Sequence, residues 1–402
     1  MRKVKIAFSA VTDTVEVLLR ENKEELVDWM FDNSNLPPEL NISLLCNPLT
    51  DGKYEETLNK YFHRKDVDIY LDSGGFQLLR GTFKGKKDEI KEQVYKKMAE
   101  HADYAFCFDE SPLENNGKTY NHEKAVWAAL ETNKNIIRQI EVFKETQAKT
   151  KILPIFQIKE EDREGAAENL LQNLDFNYIG GVSLNSRTWG ASGTLNFSRL
   201  AFFKETIKKF PQCPNFLHLL GYGEIRTLAP VLAIQQTGYL GDDSIISADS
   251  SSYPLALKKW GMVPKTDGSA KRVSASLSNG GKDWYNFQKW CLDNLGEYLS
   301  EDFKDIGHFD TKKVSTNNGV VNAAILMIAR KGFRNLAKNP IEFSLKYGYL
   351  NEPQVRSIEA FGKTDDFKDY EEWRNEYHEV WRDRKRMEDS KQISRSNLDA
   401  FF

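Results

Sequence analysis

Three aspartates and a glutamine stand at the ends of short apolar runs in this sequence, and those residue types can do chemistry together. Asp72 opens Asp72-Ser73-Gly74-Gly75-Phe76-Gln77, Asp109 opens Asp109-Glu110-Ser111, Gln157 ends Ile152–Gln157, and Asp249 opens Asp249-Ser250-Ser251-Ser252-Tyr253. Two further runs end in close-approach glycines, Gly180-Gly181 before Val182 and Gly221-Tyr222-Gly223 after Leu220. Two carboxylates in different surroundings suit substitution at a sugar anomeric carbon, one attacking or stabilising the cationic centre while the other moves the proton. Asp, Gln and backbone groups at bare glycines suit the edge of a flat heterocycle, which needs donors and acceptors. Phe76 and Leu220 would cover its faces, and Tyr222, between two glycines, would touch the same substrate. Singly, each feature has a plainer use: Asp72 before Ser-Gly-Gly caps a turn, Asp109 and Asp249 suit helix N-caps, and paired glycines make tight turns. Independent caps, however, have no reason to supply three carboxylates and an amide to one rim.

The elements that must position these groups recur along the first 250 or so residues. Apolar runs rich in β-branched and aromatic residues fall at Val4–Phe8, Ile42–Leu45, Asp68–Leu71, Ala105–Phe108, Ile152–Gln157, Tyr178–Gly181, Phe216–Leu219 and Ser244–Ala248. Charged stretches of helical period separate them, clearest in Asp88–His101, His122–Gln147, Glu160–Leu174, Asn196–Phe210 and Ile225–Thr237. Alternating strands and helices over about 250 residues predict an α/β fold, a (β/α)8 TIM barrel, whose chemistry sits at the C-terminal ends of the strands. The barrel is assigned to residues 1–255, and a mostly helical extension packed on it to 256–402. Within that extension the reading is a Gly/Ser/Lys linker over Gly261–Gly281, helices over Trp284–Leu299 and Gly319–Leu336, and a charged helix over Asp365–Lys391. Trp373, Tyr377 and Trp381 form one stripe of this last helix and are expected to dock on the body.

Composition narrows the classes. The 402 residues are 29% charged yet carry a formal net charge of only -3, which excludes a wholesale nucleic-acid coat but not a local basic stripe. The N-terminus reads as a strand rather than a signal peptide, and no apolar run approaches the roughly 18 residues of a membrane span. Cys46, Cys107, Cys213 and Cys291 are far apart and lack a C-x-x-C pair, as expected of reduced core thiols in a cytoplasmic protein. The six histidines lack H-x-x-x-H or H-E-x-x-H spacing, so no metal centre and no cofactor is expected. His218, inside an apolar run, reads as a packed core residue.

In these motifs the sequence resembles the tRNA-guanine transglycosylase superfamily, whose members swap a guanine in a polynucleotide for a 7-deazaguanine. Asp72-Ser73-Gly74-Gly75-Phe76-Gln77 is similar to the family's D-S-G-G-[FY]-Q motif. Phe108-Asp109-Glu110, Phe156-Gln157, Gly180-Gly181-Val182, Leu220-Gly221-Tyr222-Gly223 and Asp249 resemble further family positions in order, over roughly Val67 to Tyr253. The resemblance implies that Asp249 is the nucleophile attacking C1′ of the target nucleoside, leaving a covalent protein–nucleic acid intermediate. Asp72 would be the general acid/base that takes the proton from the incoming base. Asp109 and Gln157 would read the heterocycle's edge with backbone groups at Gly180, Gly181, Val182 and Gly221, while Phe76 and Leu220 sandwich its faces.

Two departures bear on the polymer. Family members acting on tRNA carry a C-x-C-x-x-C…H zinc site after the nucleophile, whereas the only cysteine here beyond Asp249 is Cys291. Their arginine-bearing segment is replaced by Ser250-Ser251-Ser252-Tyr253-Pro254. Such a chain resembles the 7-deazaguanine DNA transglycosylases, which implies DNA as polymer, a free base such as 7-cyano-7-deazaguanine as co-substrate, target flipping, and a possible helper protein for DNA access. The alternatives left open are a zinc-free enzyme acting on tRNA, a non-catalytic partner subunit, and a glycoside hydrolase on the same fold. Lys84, Lys86 and Lys87 after the Asp72 motif, and Lys258, Lys259, Lys265, Lys271 and Arg272 after the nucleophile, are the candidate phosphate contacts. A tail patch at Arg382, Arg384, Lys385 and Arg386 ranks below them.

Overall fold

Short, almost continuously apolar strands are what a parallel sheet covered on both faces requires, and they build a barrel here. The computed structural model describes residues 2–9, 11–20, 22, 24–34, 36–49, 54–64, 66–75, 87–113, 119–185, 195–250, 262–264, 267–272 and 319–381. Its strands are β1 Lys3–Ser9, β2 Leu40–Cys46, β3 Ile69–Leu71, β4 Tyr104–Phe106, β5 Lys151–Leu153, β6 Ile155–Phe156, β7 Val182–Asn185, β8 Phe216–Leu220 and β9 Ile245–Ser250. They form one sheet in the order β5-β4-β3-β2-β1-β9-β8-β7-β6, parallel throughout. The two ends of that order, β5 and β6, are one strand broken at Pro154, which has no N–H to give to a ladder. Across the break Ile152 bridges Ile179, and the Ser183 amide donates to the Pro154 carbonyl at 2.7 Å. Nine segments with β5 and β6 merged thus make the eight strands of a (β/α)8 barrel.

Helices α1 Thr12–Arg20, α2 Glu24–Phe31, α3 Tyr54–Lys60, α4 Lys87–His101, α5 Glu123–Glu145, α6 Ala166–Leu171, α7 Leu195–Lys209 and α8 Ile225–Gln236 follow the strands. A further helix, α9 Gly319–Lys338, packs on α1, α2 and α8. It closes the outer ring between the helices of the first and seventh strands, although it comes from beyond residue 255. Helices α10 Pro340–Lys346 and α11 Glu352–Phe361 lead to a last helix over 367–381. Its stripe docks as expected: Trp373 and Trp381 are buried, Tyr377 packs beside them, and both indole N–H groups donate to Ser357. The Phe197 ring lies 4.3 Å from Trp373 and 4.8 Å from Trp381, tying this helix to α7.

One expected strand is misplaced. Tyr178–Gly181 is not the sixth strand; that strand begins at Val182 and runs through Asn185. Gly180 and Gly181 therefore lie at its N-terminal end, against Lys151, Tyr104 and Phe216, which begin their own strands. Gly181 has φ +146°, and a Cβ there would collide with the Phe216 carbonyl. The glycines serve close packing of the barrel floor. The expected linker also has structure: β10 Met262–Pro264 pairs antiparallel with β11 Ala270–Arg272. Cys46, Cys107 and Cys213 are buried free thiols. No helix of the described residues is long and apolar enough to cross a membrane.

The barrel interior is filled in layers, as this fold requires. On the floor the Lys5 ammonium pairs with Asp68 at 2.7 Å and lies 4.8 Å from the Tyr104 ring centre. Above it Tyr70 stacks on Tyr104 at 4.9 Å, and Phe106 meets the His218 ring edge-on at 4.7 Å. The top layer carries the polar groups.

Candidate active site

Asp72 follows β3 and Asp249 stands near the end of β9, so both reach the same, C-terminal, mouth of the parallel barrel. The Asp72 carboxylate accepts from Asn47 Nδ2 at 3.0 Å, and its own amide donates to the Cys46 carbonyl at 2.9 Å. Burial, then the charges of Asp109 and, more weakly, Asp249, raise the Asp72 carboxyl to about 6, with backbone N–H groups of Gly74 and Ser73 opposing. Three carboxylates therefore share one field, which independent capping residues would not do.

Asp109 is fixed from several sides. Gln157 Nε2 donates to its Oδ2. The flanking backbone is tied to α5, since Asn135 donates to the Phe108 carbonyl at 2.9 Å and the Glu110 amide donates to Thr132 Oγ1 at 2.9 Å. Burial raises the Asp109 carboxyl to about 6 against the opposing Gln157 hydrogen bond. A Cβ on Gly75 would lie 3.2 Å from Asp109 Oδ1, so the second glycine of the Asp72 motif makes room for the neighbouring carboxylate. Gly74, at φ +71°, makes the turn itself.

Asp249 differs from both. Its Oδ1 accepts the Gly221 N–H at 2.7 Å and lies 3.2 Å from His218 Nε2. Gly221 has φ +74°, which turns its amide toward the carboxylate, and the Gly223 amide donates to the Asp249 carbonyl at 2.7 Å. Among the described residues both side-chain hydrogen bonds fall on Oδ1, which leaves Oδ2 for bond formation. Leu220 ends β8 beside this group and is only partly buried.

The structure thus brings together Asp72, Asp109, Gln157, Leu220, Gly221 and Asp249. It removes Gly180, Gly181 and Val182 from the site, because they lie at the opposite end of their strand; Asn185 holds the mouth position beside Leu220. Tyr222 is also corrected. Its side chain is 3% exposed beneath the Arg199 guanidinium, 4.6 Å from the ring centre, so it is a packing residue. Sequence reading missed Asn47, although it follows the apolar run of β2 as Asp72 follows that of β3. It also gave His218 a packing role only; the residue is fully buried, yet it touches the proposed nucleophile.

Of the basic residues, Lys87 begins α4 and pairs with Glu110 at 2.6 Å, next to Asp109. Lys271 and Arg272 lie on β11, whose hairpin packs at Gly268 on Ile225, the first residue of the helix that follows the β8 mouth loop. Phe76, Lys84, Lys86, Lys258, Lys259 and Lys265 lie outside the described residues, as do Trp284–Leu299, Cys291 and the tail patch. Among the described residues no three His, Cys, Asp or Glu side chains cluster to hold a metal ion. No model of a known protein family matches the chain, and no curated protein matches it.

Proposed function

We propose that this protein exchanges guanine in DNA for a 7-deazaguanine base through a covalent aspartyl-nucleotide intermediate. The observation that carries the reading is the division of labour among clustered carboxylates: Asp72 is raised to about 6 by burial and by Asp109 and Asp249, while Asp249 has one oxygen held by the Gly221 N–H. A buried carboxyl beside a second carboxylate with one oxygen held and one open is the acid/base and nucleophile pattern of substitution at a glycosidic carbon. Asp249 Oδ2 attacks C1′ and the C1′–N9 bond breaks, its electron pair leaving with guanine. The neutral Asp72 carboxyl gives its proton to that base. The incoming base then loses its N9 proton to the Asp72 carboxylate, N9 bonds to C1′, and Asp249 is expelled as a carboxylate. Protons balance over the cycle.

Base selection falls to Asp109 and Gln157. A carboxylate accepts two N–H groups side by side, which the N1–H and 2-amino edge of guanine offers. Because Gln157 spends its amide N–H on Asp109, its carbonyl remains to accept from the ligand. Guanine and a 7-deazaguanine share that edge, so one pocket serves both half-reactions and the kinetics are ping-pong.

The test is incorporation of radiolabelled guanine and 7-cyano-7-deazaguanine into single-stranded DNA, duplex DNA and tRNA. Label is expected in DNA, together with a denaturation-resistant protein–DNA adduct that Asp249→Ala abolishes. Label in tRNA alone would reject the polymer, free sugar or abasic product would indicate a hydrolase, and undiminished turnover in Asp249→Ala would reject the nucleophile.

A further inference from the structure

Beneath Asp249 the barrel carries a chain of polar groups that the scheme above does not use. His218 Nε2 lies 3.2 Å from Asp249 Oδ1, and its Nδ1 lies 3.0 Å from Ser247 Oγ. Ser247 Oγ is in turn 3.3 Å from the Tyr70 hydroxyl. Strand register makes this no accident: His218 pairs with Ser247 across β8 and β9, and Ser247 and Asp249, two apart on β9, share its inward face. The imidazole is fully buried, edge-on to Phe106 at 4.7 Å and tilted against Tyr70 at 5.7 Å, so packing leaves it no second orientation.

Those neighbours set its tautomer. An ionised Asp249 Oδ1 can only accept, so the nitrogen facing it must carry hydrogen. A neutral imidazole with hydrogen on Nε2 has a lone pair on Nδ1, which the Ser247 hydroxyl can fill, with the Tyr70 hydroxyl 3.3 Å behind Ser247 Oγ. Hydrogen on Nδ1 would instead set an imidazole lone pair against a carboxylate in a dry interior, an arrangement burial penalises heavily.

Resting on the base-exchange reading, we propose that His218, held as the Nε2–H tautomer by Ser247 and Tyr70, is a positioning residue that acts with the Gly221 N–H to speed release of Asp249 from the covalent intermediate. In the ester, Oδ1 is a neutral carbonyl oxygen and a weak acceptor. When the C1′–Oδ2 bond breaks, its electron pair returns to the carboxylate and negative charge spreads onto Oδ1, where two fixed N–H donors wait. No proton leaves His218. The same donors hold Oδ1 in the resting enzyme and so present Oδ2 to C1′. Removing the imidazole should therefore slow ester breakdown more than ester formation.

The experiment follows both half-reactions on one labelled, guanine-containing oligonucleotide: adduct appearance on denaturing gels, then adduct loss on adding 7-cyano-7-deazaguanine. His218→Phe is expected to slow loss on the order of 10²-fold and formation much less, so that adduct accumulates. His218→Gln, which keeps an N–H near the Nε2 position, should recover much of the release rate. Release at the wild-type rate in His218→Phe, or an equal fall in both steps, overturns this inference while leaving base exchange standing. Failure of the wild-type protein to form an adduct overturns base exchange and this inference with it. Independently of whether the variants fold, 15N NMR of the wild-type imidazole reads the tautomer, and hydrogen on Nδ1 overturns the proposal.

Discussion

Asp72 and Asp109 are each raised to about 6, burial being the largest cause for both, and the Asp109 charge is the next cause for Asp72. A carboxyl titrating there is part neutral and part ionised near neutral pH, which a group that first gives and then takes a proton needs. The sign of the pH dependence follows from the first half-reaction. In the proposed exchange guanine would leave with the Asp72 proton, so adduct formation would require the neutral acid and should fall as pH rises through about 6. Asp109→Asn removes a negative charge beside Asp72, lowers its pKa and should move the fall to lower pH, as stopped-time adduct assays across a pH series would record. An inflection that stays put in Asp109→Asn would mean that another group sets the profile. At this scale the position of a polar residue that directly follows an apolar run, as with Asp72, Asp109, Gln157 and Asp249, is legible in the sequence as the end of a strand. Tyr222 defeated that reading because a ring between two glycines looks exposed, whereas the chain turns it under Arg199.

Among the elements, the strands other than β1 deliver the mouth groups, Asn47 after β2, Asp72 after β3, Asp109 after β4, Gln157 after β6, Asn185 on β7, Leu220 on β8 and Asp249 on β9. The barrel floor shows what holds them in register: Lys5 on β1 and Asp68, the residue before β3, form an ion pair whose side chains are 12% and 27% exposed. Removing one partner of such a pair leaves an uncompensated charge in the interior. Asp68→Asn or Lys5→Met is therefore expected to cost roughly 3 kcal/mol in denaturant unfolding, and the double variant Lys5→Met with Asp68→Leu should recover most of it. A loss below about 0.5 kcal/mol in both single variants, the size of an exposed pair, would show that the floor is open to water. The sixth strand was misread here for a physical reason. Apolar content marks Tyr178–Gly181, and only the closing ladder, with Gly181 pressed on the Phe216 backbone, moves the strand to Val182–Asn185. The slip of a few residues carried Gly180, Gly181 and Val182 from the floor to the mouth.

For the whole molecule, the outer ring is completed by α9, which arrives after a long excursion beyond β9 and fills the space between α1 and α8. That excursion includes the β10–β11 hairpin, seated at Gly268 on Ile225 and held there by the Tyr349 hydroxyl donating to the Asp267 carbonyl. On the DNA reading, Lys271 and Arg272 of this hairpin are the candidate phosphate contacts. Replacing both with alanine should weaken DNA binding about equally for all sequences and make the log–log salt dependence shallower by about two charges. Fluorescence anisotropy over a salt series measures this, and an unchanged slope would remove the hairpin from the DNA path. The aromatic stripe of helix 367–381 was legible because its i, i+4, i+8 spacing is a local property. The place of α9 in the ring was not, because a helix's partners depend on a chain path that periodicity does not encode.

Local order was written in the sequence: the strand and helix alternation, the polar residue after most strands, and the turn glycines of the Asp72 motif follow from side-chain period and backbone freedom alone. Distance was not. Whether Asp72, Asp109 and Asp249 feel one another, whether His218 touches a carboxylate or only packs, and at which end of its strand a Gly-Gly pair lies all depend on how strands far apart in the chain align when the barrel closes. That alignment comes from the joint packing of every interior layer, so only the tertiary structure decides it.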